Sequence, residues 1–198
     1  VTNATASNVA VALIRKELTR SVDADGGTTT STSSTTFQYL GFDTETRPKF
    51  NKGGNNHPPA LLQLATSTTA YLFRLKHEGM HPTNCPMSEA LHALLSDTSI
   101  IKVGVGIHED ITELQRTYGQ STCGNGSSYL DLGPLAKIRH QQIKRAGLRN
   151  LTATLLNWKL SKAQQMKNWE MKTLTVAMEA YAASDALVAL DLLAAIIR

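Results

Sequence analysis

The chain has 198 residues, 41% of them hydrophobic and 18% charged, and a formal net charge of +4. That length and apolar content fit one folded domain with a full core and exclude a disordered chain. No apolar run reaches the roughly 18 residues of a membrane span, and the N-terminus lacks the charged and apolar regions of a secretory signal, so no membrane partner is expected.

The first element in chain order is a helix over Asn8–Arg20, with Val9, Leu13 and Ile14 on one side and Ser7 or Asn8 as its N-cap. The polar stretch SVDADGGTTTSTSSTT (21–36) reads as a low-complexity loop inserted before the first strand, and we assign it no chemistry. FQYLGFDT, ALLQLAT and TAYLFRL (37–44, 60–66 and 69–75) follow as three strands of an antiparallel meander. A helix at 87–97 and a buried strand at 99–106 come next, then a helix at 108–119 with Ile111, Leu114 and Tyr118 in register. SSYLDLGPLAKIRH is expected to give a short strand and a helix, and GLRNLTATLLNWKL a further helix. The last segment, from Lys172 to Arg198, is Ala/Leu-rich and free of Gly and Pro. A meander followed by alternating strands and helices predicts a single α/β domain over 1–198, built on a mixed five-stranded sheet flanked by helices.

Cys85 and Cys123 are far apart and lack the spacing of a zinc site or a redox pair. Without a disulfide framework, an intracellular, reducing compartment is expected.

Acidic residues fall where three of these elements end or begin. Asp43 and Glu45 close the first strand, on the same side of it and roughly 7 Å apart along the backbone. Two like charges so placed resist burial. Asp110 lies in the first turn of the helix after the fourth strand. In the last helix Tyr181 and Asp185 are four residues apart and share a face, amid Ala180, Ala182, Ala183, Ala186 and Ala189. Singly, each has an ordinary explanation: a helix-start acid answers the dipole, a strand-end acid is solvated, and a Tyr-x-x-x-Asp pair is a core tyrosine beside a surface acid. Together they belong to positions that converge on one edge of an α/β sheet. Four carboxylates meeting there form the oxygen-rich cage that suits Mg²⁺ or Mn²⁺.

LGFDTET (Asp-x-Glu), KVGVGIHEDITEL and YAASDA (Tyr-x-x-x-Asp) resemble, in order, the three motifs of the DEDD superfamily of 3′–5′ exonucleases. With Tyr181 in place and Ala180 where the histidine branch carries its histidine, the resemblance is to the tyrosine branch. That branch includes ribonuclease D, the proofreading domain of family A DNA polymerases and the Werner-syndrome exonuclease domain. The resemblance spans roughly residues 37–197 and includes LRNLTATLLNWKLSKAQQMKNWE, similar to the segment before the third motif. It implies an RNase H-like fold and hydrolysis of nucleic acid from the 3′ end by two divalent metal ions, releasing nucleoside 5′-monophosphates. Asp43 would bridge the ions, Glu45 and Asp185 would complete one site, Asp110 would hold the second ion, and Tyr181 would orient the attacking water. Thr46-Arg47-Pro48 departs from Werner-type domains, which carry Trp after Asp-x-Glu.

Residues 137–172 hold nine Lys or Arg and the single acid Glu170, so this segment carries +8 and the rest of the chain −4. A basic segment beside an acidic site suits a polyanion such as DNA or RNA held by one region and processed by another. Arg149, Lys159, Lys162 and Lys167 are candidates for the phosphate track, Arg47 for a contact near the scissile end, and Trp169 for base stacking, with a core or hinge tryptophan as the commoner reading of such a residue. The rival reading is a catalytically inactive exonuclease fold that binds nucleic acid.

Overall fold

The computed structural model describes residues 1–23, 37–49, 57–76, 87–119, 122–123 and 128–198; most of the low-complexity stretch, residues 24–36, and Cys85 lie outside them. Strands β1 (Gln38–Thr46), β2 (Pro59–Ala65), β3 (Ala70–Arg74), β4 (Ile100–Gly104) and β5 (Tyr129–Asp131) form one sheet in the order β3-β2-β1-β4-β5. The three-strand meander is antiparallel, whereas β4 and β5 run parallel to β1. This is the mixed five-stranded sheet expected from the pattern of elements.

Alternation along the strands divides the core into two layers. Leu40 and Phe42 of β1 and Leu62 and Leu64 of β2 pack under helices α1 (Ala4–Asp23), α2 (Glu89–Ser96) and α3 (Ile107–Tyr118). The opposite face receives the long helix α6 (Val176–Ile197) and, over β4, the helix α4 (Leu132–Arg139). By length and composition α6 is apolar enough to cross a membrane. Here it packs on β1, β2, β3 and β4, with Met178, Ala182, Asp185, Ala186 and Ala189 buried.

Two glycines set how closely the layers approach. A Cβ on Gly41 would overlap the carbonyl oxygen of Ala186, so only glycine lets α6 lie this near β1. A Cβ on Gly104 would come within 2.7 Å of the Phe42 carbonyl oxygen and 3.2 Å of Ile107 Cβ, which fixes the start of α3 against the end of β1.

Two local expectations are corrected. α1 starts at Ala4, with Asn3 Oδ1 accepting from the Ala6 amide at 2.9 Å, rather than at a cap near Ser7 or Asn8. Its buried stripe is Ser7, Ala10, Val11, Ile14 and Leu18, leaving Val9 and Leu13 exposed. The single helix expected in GLRNLTATLLNWKL is instead a four-residue helix α5 (Leu148–Leu151) running into a π-helical turn, Thr152–Leu156, that stops at Asn157 in the left-handed conformation, φ 56°.

Candidate active site

β1 and β4 are parallel, so their C-terminal ends lie at the same edge of the sheet, and α3 starts there. Asp43 and Glu45 point from β1 toward α6, as Gly41 does. From α6, one turn beyond Tyr181, comes Asp185. One carboxylate oxygen from each of Asp43, Glu45 and Asp185 can be chosen so that all lie within 4.8 Å of one another. β1 slips out of register with β2 between Glu45 and Thr46, immediately after the paired acids.

Asp110 stands at the flank of this trio. Thr44, whose side chain points to the α3 side of β1, donates from Oγ1 to Asp110 Oδ1 at 2.6 Å. The Thr44 amide donates to Asp43 Oδ1 at 2.9 Å. One residue therefore links both acids from between them. Asp131, which caps α4, also accepts from the Gly106 amide at 3.1 Å and holds the start of α3 to β5.

The electrostatics are strained in one direction. Burial, then the charges of Asp110 and Asp185, push the Asp43 carboxyl well above the ordinary carboxylate range. Burial and the three neighbouring acids raise Glu45 to about 9. Asp185 is raised by burial to about 6, against the hydrogen bond from the Tyr181 hydroxyl. Asp110 is also raised to about 6, by burial first, with the Thr44 hydrogen bond pulling it down. Among the described residues no Lys or Arg forms an ion pair with any of the four. A set of hard oxygen donors, crowded and unneutralised by protein cations, fits a divalent cation such as Mg²⁺ or Mn²⁺. Burial, then Asp185, Glu45 and Asp43, raise the Tyr181 phenol above its ordinary range, so it stays protonated at neutral pH.

The trio opens into a cleft of about 370 Å³ that Tyr181, Arg149 and Lys162 also line. On the other side of Thr44 a second depression, of about 620 Å³, is lined by Asp110, Arg47, Lys49 and His108 among others. Lys159 lies beside Tyr181 and Asp185 in an adjoining hollow, and Lys167 is exposed on the segment that follows. Arg149 donates from Nε to the Leu160 carbonyl at 2.9 Å. Arg47 is 3.5 Å from Glu170, a buried carboxylate that also holds Lys76 at 2.7 Å.

Of the two readings of Trp169, the base-stacking one is corrected: Trp169 is a core residue. It is fully buried with Ala60, Leu61, Leu174, Met178 and Ala182, its ring 6.1 Å from that of Tyr181, and no base can stack on it. The indole that is exposed in this part of the chain is Trp158, at 53%. Sequence reasoning missed Thr44, Glu170 and Trp158. A lone acid within a basic run was the one signal that could have found Glu170.

A family model described as 3′–5′ exonuclease matches residues 25–198. The chain is similar to exonuclease 3′–5′ domain-containing protein 2 of Drosophila melanogaster, 40% identical over 157 residues, which cover 78% of this chain and 24% of that protein. It is also similar to a 3′–5′ exonuclease of Arabidopsis thaliana, 31% identical over 150 residues, 75% of this chain and 49% of that one. It thus spans about a quarter to a half of the length of these two relatives. Brucella melitensis NrnC shares the fold: its structure with bound Mg²⁺ aligns with a TM-score of 0.66 at 22% identity, over 83% of this chain and 74% of that one. A second NrnC structure holds pGG. The family model covers nearly the whole chain and agrees with the three motifs and the sheet that carries them: the chain belongs to the 3′–5′ exonuclease family of the DEDD superfamily.

Proposed function

We propose that this domain is an active 3′–5′ exonuclease that hydrolyses DNA or RNA from its 3′ end and releases nucleoside 5′-monophosphates. The observation that carries the reading is the meeting of Asp43, Glu45 and Asp185 within 4.8 Å, in a cleft that also presents basic side chains. Asp43, Glu45 and Asp185 would hold one divalent ion, and Asp43 with Asp110 a second. Mg²⁺ or Mn²⁺ bound there would supply Lewis-acid stabilisation of the charge that develops on the phosphoryl and leaving oxygens.

The remaining work falls to the chain's own side chains. Tyr181, protonated and donating to Asp185, orients the attacking water rather than taking its proton. Arg149 and Lys162 in the cleft, Lys159 in the adjoining hollow and the exposed Lys167 farther along the segment neutralise backbone phosphates without reading sequence. Arg47, which lines the second depression and is 3.5 Å from Glu170, serves the same end. Intact carboxylates and Tyr181 favour an enzyme over an inactive binding module.

The test is a 5′-labelled oligonucleotide incubated with the protein in Mn²⁺ or Mg²⁺. A ladder of products shortened from the 3′ end, abolished by EDTA, is expected. Binding without shortening in either metal would instead assign the inactive module.

A further inference from the structure

Gln63 lies at the centre of β2, fully buried, and neither its Oε1 nor its Nε2 has a hydrogen-bond partner among the described residues. Buried amides are normally paired, so an orphaned one calls for a reason. Register supplies it. In the antiparallel β1–β2 pair Gln63 stands directly opposite Asp43, and directly opposite residues project to the same face of a sheet. On its other side, in β3, the residue in register is Leu72. Its neighbours along the same face of β2 are Leu61 and Ala65. Leu61 and Leu72 both belong to the apolar cluster beneath α6. A leucine or methionine would satisfy such a position with no polar atom to bury. The one polar side chain in register with Gln63 is Asp43, at the point where α6 brings Asp185 onto the strand.

We propose that Gln63 is a positioning residue for the carboxylate centre: its amide N–H donates to Asp43 when that side chain holds a divalent cation, and so fixes which oxygen Asp43 turns into the cleft. This rests on the cation-dependent function proposed above. Groups that hydrogen-bond a ligating carboxylate orient it and tune its basicity, and their loss costs roughly 10–100-fold in metal affinity or activity.

The experiment is calorimetric titration of Mn²⁺ into metal-free wild type and Gln63→Met, whose side chain has nearly the same volume, together with oligonucleotide kinetics and melting of both metal-free proteins. We expect Mn²⁺ binding to weaken about 10–100-fold, kcat to fall with KM for the oligonucleotide unchanged, and the metal-free melting temperature to hold or rise. Equal Mn²⁺ affinity and kcat in the two proteins would overturn the role of Gln63 while leaving the proposed function standing. A weaker Mn²⁺ affinity accompanied by a lowered metal-free melting temperature would reduce Gln63 to a packing residue. Absence of Mn²⁺ binding by wild type would overturn the proposed function itself. A measurement on wild type alone covers the case in which the variant does not fold: Mg²⁺ titration of ¹⁵N-labelled protein should shift a Gln63 side-chain NH₂ proton downfield and slow its exchange. An unmoved resonance at saturating Mg²⁺ contradicts the inference.

Discussion

Asp185 shows what each site acid costs the fold: a carboxyl buried on a mainly alanine and leucine helix, beside two more carboxyls from β1. Such groups are destabilising unless neutralised. Asp43→Asn and Asp185→Asn should therefore abolish cleavage while holding or raising the melting temperature of the metal-free protein; a drop in melting temperature would make them structural residues. Tyr181→Phe keeps the ring and loses the hydroxyl bonded to Asp185, so a partial loss, about 10–100-fold in kcat, is expected. The shifts also fix a pH dependence. Unfolded, these carboxyls titrate near 4; folded, Asp110 and Asp185 do so at about 6 and Glu45 at about 9. The folded protein holds more protons between those limits, so the stability these groups allow is greatest below the unfolded values and is lost as pH rises through the folded ones. In EDTA the melting temperature should fall from pH 5 to pH 9, and fall less in Glu45→Gln; a flat profile would contradict the shifts. Residue types were legible here because period-2 alternation put Asp43 and Glu45 on one side, and an i, i+4 spacing paired Tyr181 with Asp185. That Asp110 would meet Thr44 was not legible, since it depends on the angle at which α3 leaves β4.

At the scale of elements, the centre exists because α6 can lie against β1, and Gly41 is the condition for that. Gly41→Ala places a methyl group against the Ala186 carbonyl, which belongs to backbone and has little room to give. Overpacking of this kind costs about 1–3 kcal/mol. Denaturant titration of the metal-free protein should show that loss, and Mn²⁺ affinity should weaken as Asp185 moves off Asp43; unchanged stability would mean that the layers tolerate the shift. Strand and helix positions were readable because apolar runs mark the meander and a short turn joins its second and third strands. Three features were not. The face of α1 escaped because Val9, Leu13 and Ile14 suggest one stripe and tertiary packing selects another. The π-helical turn replaces a helix for reasons of backbone geometry that residue spacing does not encode. Trp169 lies in a segment without periodicity, so nothing local told buried from exposed.

Across the whole molecule, charge is uneven along the chain: residues 137–172 carry +8, and the remainder, which holds Asp43, Glu45, Asp110 and Asp185, carries −4. Arg149 and Lys162 carry this asymmetry into the cleft. Replacing either with Ala should weaken oligonucleotide binding uniformly across sequences and reduce the salt slope by about 0.7 for single strands. An unchanged slope would take that residue off the phosphate track. The basic bias was legible from composition, but its alignment with the carboxylates needed the fold, since it is the fold that brings residues 147–150, Ser161, Lys162 and Gln165 to the cleft at the end of β1. The central claim is that the crowded carboxylates bind a divalent cation. Mn²⁺ titrated by calorimetry at pH 7, in two buffers of different ionisation enthalpy, tests it most directly. Saturable binding with net proton release, lost in Asp43→Asn, is the expected result. Absence of binding, or binding that frees no protons, would contradict the account.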